Sequence, residues 1–544
     1  MAPFDVILVL PYPFSDHPSF PEGILRKALE AKGFSVGIIE TPFWQKPDSF
    51  AILGRPRLFF AIVAGPVDSV VLNYTSSRKR RREDLYQTGG KAFFDGYPPS
   101  IAYKIRPDRT TLVFANRIRE MFKDVPLVIG GLEASLRVFA HYDFQQDRIR
   151  RSTLLDSRAD LAVTGMGEAQ VISIAQLLDG GALAGEIEIP GTARIAAQPP
   201  PSPGFVMLPS LESIAGDALK LMEAQILWER AILEGKGICQ EQDGRWVIAQ
   251  RPRAYSPPDL DHIYGQNYTR AHRSGMAPTP ALQMNLFSIT SHRGCCGGCA
   301  FCSITSHEGK RVVSRSQESI LQEVERATGH PAWKGVMSDI GGPSAEMYGM
   351  DCEQNDCQKP SCLDPGLCPH LSPVTPFLEL LRACRKVRAV KKVFLGSGIR
   401  YDLFLQHPEL LEEIMVHHSG GFLRIAPEHT EDEILPLMRK PSFETLERFV
   451  RLFRSINKGL DRKIQLAPYL IVGHPGERWD HVESMAGKLK SLVLRTKDVQ
   501  IFTPTPGTLS TAMFYSRSAP GLGPLEVEKD IKSLLRRKAL LTDL

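Results

Sequence analysis

Four of the chain's ten cysteines fall within eight positions of the stretch "SHRGCCGGCAFCSIT", residues 291–305. Thiols crowded among glycines point to metal chemistry more than to packing. Spacing separates three readings. Cys296, Cys299 and Cys302 form C-x2-C-x2-C, the opening of a bacterial ferredoxin run, yet Ser306 stands where that run needs its next cysteine. A closed zinc site pairs two C-x2-C knuckles, or one knuckle with two histidines, and the flanking His292 and His307 fit neither pattern. Cys295, Cys299 and Cys302 form C-x3-C-x2-C, with Phe301 directly before the last thiol.

The third arrangement resembles the radical S-adenosylmethionine (SAM) signature. There, three thiolates hold three irons of a 4Fe-4S cluster and leave the fourth iron open for SAM, whose sulfonium bond a low-potential electron breaks to give a 5′-deoxyadenosyl radical. By that resemblance Cys295, Cys299 and Cys302 are the metal ligands and Cys296 is the spare. Gly294, Gly297 and Gly298 let the backbone wrap close to the cluster, and Phe301 packs near the adenine.

Strands and helices alternate regularly around this loop. Strand-like runs are expected at Met284–Thr290, Gly335–Gly341, Lys392–Gly398, Gly421–Pro427, Lys463–Gly473 and Val499–Pro504. Helix starts are expected at Ser316, at Thr375-Pro376 and at a capping box over Thr430–Glu433. Six such steps predict a partial (β/α)6 barrel over residues 283–512, with its working residues at the C-terminal strand ends. Upstream, apolar runs at Asp5–Leu10, Ser35–Glu40, Ser69–Asn73, Pro126–Gly130 and Asp160–Thr164 predict an open, flavodoxin-like α/β domain over 1–195. The Pro-rich "AAQPPPSPGF" opens an expected connector, 196–282, with one helix over Leu211–Leu233, and residues 513–544 form a C-terminal tail.

In its ordered segments the chain is similar to the YgiQ-type radical SAM proteins. They are "LEASLRVFAHYD" (132–143), "RRSTLLDSRADL" (150–161), "DIGGPSAEMYG" (339–349), "GSGIRYD" (396–402), "IAPEHTED" (425–432) and "TPTPGTLST" (503–511). The resemblance implies a three-cysteine cluster, reductive use of SAM, an N-terminal domain similar to cobalamin-binding modules, and a reductant of the flavodoxin or ferredoxin class. It implies no substrate. Gly341 and Gly342 resemble the glycine pair that receives the methionyl amino group, although Pro343 follows where many relatives have Glu. Ser397 and Arg400 are the candidates for the ribose and carboxylate. Glu428, His429 and the "IVGHPGE" segment (471–477) resemble methylthiotransferase regions, with His429 or His474 a proton donor, a substrate contact or a hydrogen-bonded structural histidine.

A second group, Cys352, Cys357, Cys362 and Cys368, lies in an insert, 343–371, too long for an ordinary connection. It predicts an auxiliary iron-sulfur cluster or a zinc ion. Cobalamin is not expected, because Asp16 and His17 are adjacent where a base-off module has Asp-x-His-x-x-Gly. The basic run Arg78–Arg82 reads as a solvated loop or an RNA contact. At 544 residues, 43% hydrophobic and net charge +5, the composition is that of a globular protein and names no partner. No run approaches the ~20 apolar residues of a membrane span, and the Pro11-interrupted N-terminus lacks a signal-peptide pattern, so a cytoplasmic setting is expected. Two further readings compete with a radical SAM enzyme of unidentified substrate. One is an RNA-modifying, methylthiotransferase-like enzyme, and the other a non-catalytic iron-sulfur protein.

Overall fold

The structure, a computed structural model, describes residues 3–96, 103–201, 203–273, 277–352, 354, 357–372 and 374–542. The chain divides into two compact units, one of residues 1–254 and 266–286, the other of residues 255–265 and 287–544. In the first, the fully buried run β1 (Val6–Leu10) leads through α1 (Pro21–Glu30) to β2 (Val36–Glu40), which pairs with β1 in parallel. Pro21 sits in the first turn of α1, where its missing N–H costs nothing. Strands β3 (Phe59–Val63), β4 (Leu127–Gly130) and β5 (Leu161–Val163) extend the sheet in parallel on the other side of β1. The chain reverses direction between β1 and β3, the switch point at which open α/β sheets bind ligands.

Two expectations change here. Ser69–Asn73 is a helical turn rather than a strand, because the Asp68 carboxylate accepts from the Val70 and Val71 amides and caps it, and the strand is Phe59–Val63 instead. The expected connector supplies sheet: after β6 (Thr192–Ala196) come β7 (Phe205–Met207), β8 (Gly237–Gln242) and β9 (Arg245–Ala249), giving the nine-strand order β7-β8-β9-β6-β5-β4-β3-β1-β2. Strand β8 buries Gln240 and Gln242. Their amide oxygens accept from the Ala140 and Ser152 backbone at 2.8 Å each, so polar side chains occupy core positions at no desolvation loss.

In the second unit, β10 (Ser288–Thr290) pairs in parallel with β11 (Asp339–Gly341). Val336–Met337 pairs with β12 (Lys392–Val393), and Ile399 bridges to Ile425 of β13 (Phe422–Glu428). Then β13, β14 (Gln465–Val472) and β15 (Asp498–Ile501) form a parallel three-strand sheet. The pairings run in chain order, as a partial (β/α)6 barrel requires. Pro280–Asn285 is a helix capped by Thr279, which shortens the first expected strand. Between the first two strands, α5 (Gln317–Thr328) starts at Ser316, whose hydroxyl accepts from the Ser319 amide. The capping box expected at Thr430 does not form. Its helix begins later, as α6 (Phe443–Lys458), and a short turn Leu435–Met438 precedes it.

The C-terminal helix α7 (Ile531–Thr542) is tied to β14 through charge. Arg537 donates to Glu477 Oε1 at 2.8 Å, the same oxygen accepts from the Gly473 amide, and Oε2 meets His429 Nε2 at 3.2 Å. Burial pushes the Glu477 carboxyl up, but the hydrogen bonds from His429 and Arg537 outweigh it and hold it below the usual range. A depressed pKa contributes stability that is complete above the unfolded value, about 4.3, and is lost as pH falls through the folded one. Glu477→Ala, which strands the buried Arg537, is expected to lower unfolding stability by about 3–5 kcal/mol in urea titrations at pH 7. Glu477→Gln should show less acid sensitivity than the parent below about pH 4.3.

Candidate functional site

The cysteine loop leaves β10 at the C-terminal face of the barrel, and backbone geometry holds it. Gly294 has φ +82°, and a Cβ there would stand 2.1 Å from the Arg311 carbonyl; Gly298 has φ +59°, and a Cβ would stand 2.1 Å from the Pro360 carbonyl. Both positions need glycine. The Cys295 amide donates to Gly309 O, Cys302 to Cys299 O and Ala300 to Met438 O, so the loop is anchored at its start, middle and end. Ser306 does not reach toward the cysteines; its hydroxyl donates to Gly507 O.

Burial pushes the Cys295 thiol up to about 11 and Cys302 up to about 12, and charge on Cys299 adds to both. Three thiols within electrostatic reach of one another, held protonated by burial, ionise together only beside a cation. The Arg400 guanidinium is one source of positive charge: it forks onto Asp402 at 2.9 and 3.2 Å and points its remaining nitrogen at Cys299 Sγ, 3.4 Å away. This donor set fits an iron-sulfur cluster. Among the described residues, no three His, Cys, Asp or Glu side chains are gathered closely enough to hold a metal ion, the loop's own thiols included.

The remaining expected residues are distributed as follows. Phe301 is partly exposed, with the Lys440 ammonium 5.8 Å from its ring centroid. A Cβ on Gly341 would stand 2.9 Å from Ala345 and one on Gly342 2.6 Å from His292, so packing within the chain already requires both glycines. The Ser397 hydroxyl donates to Asp339 at 2.7 Å, and Arg400 is committed to Asp402. Of the two histidines, His429 joins Glu477, while His474 bonds Ser510 Oγ at 2.7 Å and burial lowers it to about 4. Both are held as structural partners. Glu428, at the end of β13, has φ +66° and pairs with Lys440 at 3.6 Å. In the first unit, Asp16 accepts from Thr269, and His17 contacts Ser19 and Arg270.

One residue not singled out in the sequence joins the site. Glu346 is fully buried, its Oε1 accepts from Ser344 Oγ and the Arg400 amide at 2.7 Å each, and its Oε2 has no partner. Burial raises its carboxyl to about 7. The signal was a carboxylate three residues beyond Pro343, in the segment where relatives carry Glu.

The cysteine-rich insert lies on the cysteine loop. Ser361 Oγ donates to Gly297 O at 2.7 Å and the Cys362 amide to Cys296 O at 2.9 Å. A hydrogen bond from Cys296, opposed by burial and aided by Lys310, lowers the Cys362 thiol to about 6. Of the four insert cysteines, Cys357 and Cys362 come together around Lys310, and the Cys368 amide donates to Cys362 O.

Comparison with known proteins defines the class. The family described as Radical SAM N-terminal matches residues 1–288, and the Radical SAM superfamily matches residues 289–489. The protein is a radical SAM enzyme. A UPF0313 protein of Geobacter sulfurreducens is 42% identical, covering 99% of this chain and 89% of the relative, and one of Methanosarcina acetivorans is 40% identical, covering 99% and 76%. The chain belongs to the UPF0313 family, the YgiQ type. Its fold is similar to the radical SAM methyltransferase TsrM of Kitasatospora setae with cobalamin and a [4Fe-4S] cluster bound (TM-score 0.52, 16% identity, 98% of this chain and 84% of that one). The same methyltransferase with tryptophan and a SAM analogue matches at TM-score 0.50 and 17% identity, over 92% and 74%. Neither the methylthiotransferase nor the electron-carrier reading is favoured. The expectation against cobalamin is corrected: a neighbour sharing this fold over nearly the whole chain was solved with cobalamin bound, so one absent motif does not exclude it.

Docking of the insert depends on the Gly298 close approach and the Ser361 bond. Gly298→Ala is expected to increase the rate of limited proteolysis within 352–368 at least severalfold, and Ser361→Ala to do so more weakly.

Proposed function

We propose that Cys295, Cys299 and Cys302 hold the 4Fe-4S cluster with which this enzyme cleaves SAM reductively, beginning a radical reaction on a substrate not yet identified. The observation that carries the assignment is the loop's position at the end of β10, with Arg400 donating to Cys299. When bound, the cluster supplies the electron that breaks the SAM carbon–sulfur bond. The chain's own residues then have distinct tasks. Arg400, held by Asp402, offsets thiolate charge and fixes the Cys299 side chain. The unpartnered oxygen of Glu346 accepts the methionyl ammonium beside the Gly341-Gly342 turn. Phe301 and Lys440 border the site with an apolar face and a fixed charge. The reductant is of the flavodoxin or ferredoxin class.

No described helix is long and apolar enough to cross a membrane, and the ten unpaired cysteines support a reducing, cytoplasmic setting. A second reading concerns the first unit. Its parallel sheet reverses between β1 and β3, and the fold likeness supports cobalamin binding there. His17 is already engaged by Ser19 and Arg270, so any cobalt in that site takes no ligand from it.

Anaerobically reconstituted, reduced protein should convert SAM to 5′-deoxyadenosine and methionine, and Ala at Cys295, Cys299 or Cys302 should abolish both the product and the cluster absorption. Glu346→Gln should keep the cluster and weaken SAM binding about 10- to 100-fold, as loss of a charged hydrogen-bond partner does. A fully assembled cluster that yields no nucleoside under several reductants would overturn this reading.

A further inference from the structure

Cys296, left over by the catalytic triplet, faces sulfur. Its thiol hydrogen-bonds that of Cys362, lies 3.8 Å from Met347 Sδ, and is almost fully buried. Its carbonyl receives the Cys362 amide, so main chain and side chain both join the two segments. The Lys310 ammonium donates to Cys357 Sγ at 3.5 Å and also hydrogen-bonds Cys362. A carbonyl of the insert, that of Lys359, holds the same ammonium. Three thiols from two chain segments thus meet around one lysine. They are not the set that spacing suggested, because Cys296 joins them and Cys352 does not.

Sulfur ligands of this number suit a thiophilic, tetrahedral ion. Three thiolates on Zn2+ leave one net negative charge, which is costly in a buried place unless a cation stands beside the sulfurs. Lys310 is that cation, and N–H donation to metal-bound sulfur is the kind of outer contact that tunes such sites. We propose that Cys296, Cys357 and Cys362 are ligands of a second metal site of the zinc-thiolate class, packed against the catalytic loop, with Lys310 balancing its charge. A fourth position is open to Cys368, whose amide donates to Cys362 O at 2.8 Å. Zinc–sulfur bonds are about 2.3 Å long, so binding turns the side chains inward from their hydrogen-bonded contacts. The ion would fasten the insert to the loop that carries Cys295, Cys299 and Cys302.

The proposal rests on those three cysteines being the catalytic set, and the experiment separates the two assignments. Full-length protein, its cluster reconstituted anaerobically, is titrated with Zn2+ alone and assayed for zinc and iron per chain, with the cluster followed by electron paramagnetic resonance. The parent should hold four irons and one tightly bound zinc. Cys296→Ser, Cys357→Ser and Cys362→Ser should each retain four irons and the cluster signal while zinc affinity falls at least tenfold, and Cys239→Ser should change neither. Zinc-edge X-ray absorption of the parent, which requires no variant to fold, should show at least three sulfur neighbours. Irons beyond four that vanish in the same three variants support the site and change its occupant. Parental zinc affinity in Cys296→Ser, or fewer than three sulfurs at the zinc, overturns the proposal. Loss of the four irons in Cys296→Ser with zinc retained overturns it differently, by moving Cys296 into the catalytic set.

Discussion

Arg400 is the residue on which the site's geometry turns. A guanidinium this deeply buried keeps its charge only if acids surround it, and Asp402, two residues on, takes two of its nitrogens in a fixed fork. The third nitrogen is then aimed without freedom at Cys299. Its backbone amide meanwhile fixes Glu346, which stands in the turn after β11. One side chain and its own peptide thus link the ends of the first three barrel steps: the cysteine loop, the glycine turn and the segment after β12. Removing the charge would leave Asp402 and Glu346 buried without it, so the arrangement stands or falls together.

The insert imposes a second constraint. A long loop at a catalytic face would ordinarily move, yet this one touches the cysteine loop through backbone at Pro360, through Ser361 and through Cys362. Glycine at 298 permits the first contact, since any side chain would collide with a carbonyl. The same residue that gives the cysteine loop its left-handed turn therefore also gives the insert its seat. Access to the thiols from that side is consequently set by the insert, which places selection of the reacting molecule partly in residues far from any strand end.

What the sequence made legible followed from local chemistry. The cysteine spacing, the glycines and the apolar runs of β13 and β14 are short-range signals that tertiary contacts had no reason to override. The missed elements have equally specific causes. Strand β8 reads as polar because Gln240 and Gln242 point inward, where loop amides satisfy them, and periodicity counts only apolar residues. Ser69–Asn73 is as β-branched as a strand, but Asp68 offers two amides a cap and tips the balance. Site assignments by type also reached their limit: Ser397 and Arg400 were suited to a cofactor, and the fold gives each an aspartate. Only coordinates could reveal that Glu346 keeps one oxygen unclaimed.

The adjacent cysteines at 295 and 296 show why spacing alone undercounts function. Consecutive residues in an irregular loop point to different sides, so two neighbours serve one site only under strain. Here Cys295 has its charge environment in common with Cys299 and Arg400, whereas Cys296 turns to Cys362 and Met347. The double cysteine is therefore a junction between two sulfur environments rather than a redundant ligand. One faces the barrel mouth and its guanidinium, the other faces the insert and its ammonium. Each set of thiols has its own buried cation, Arg400 or Lys310, and that separation of charge is what allows a single loop to serve both.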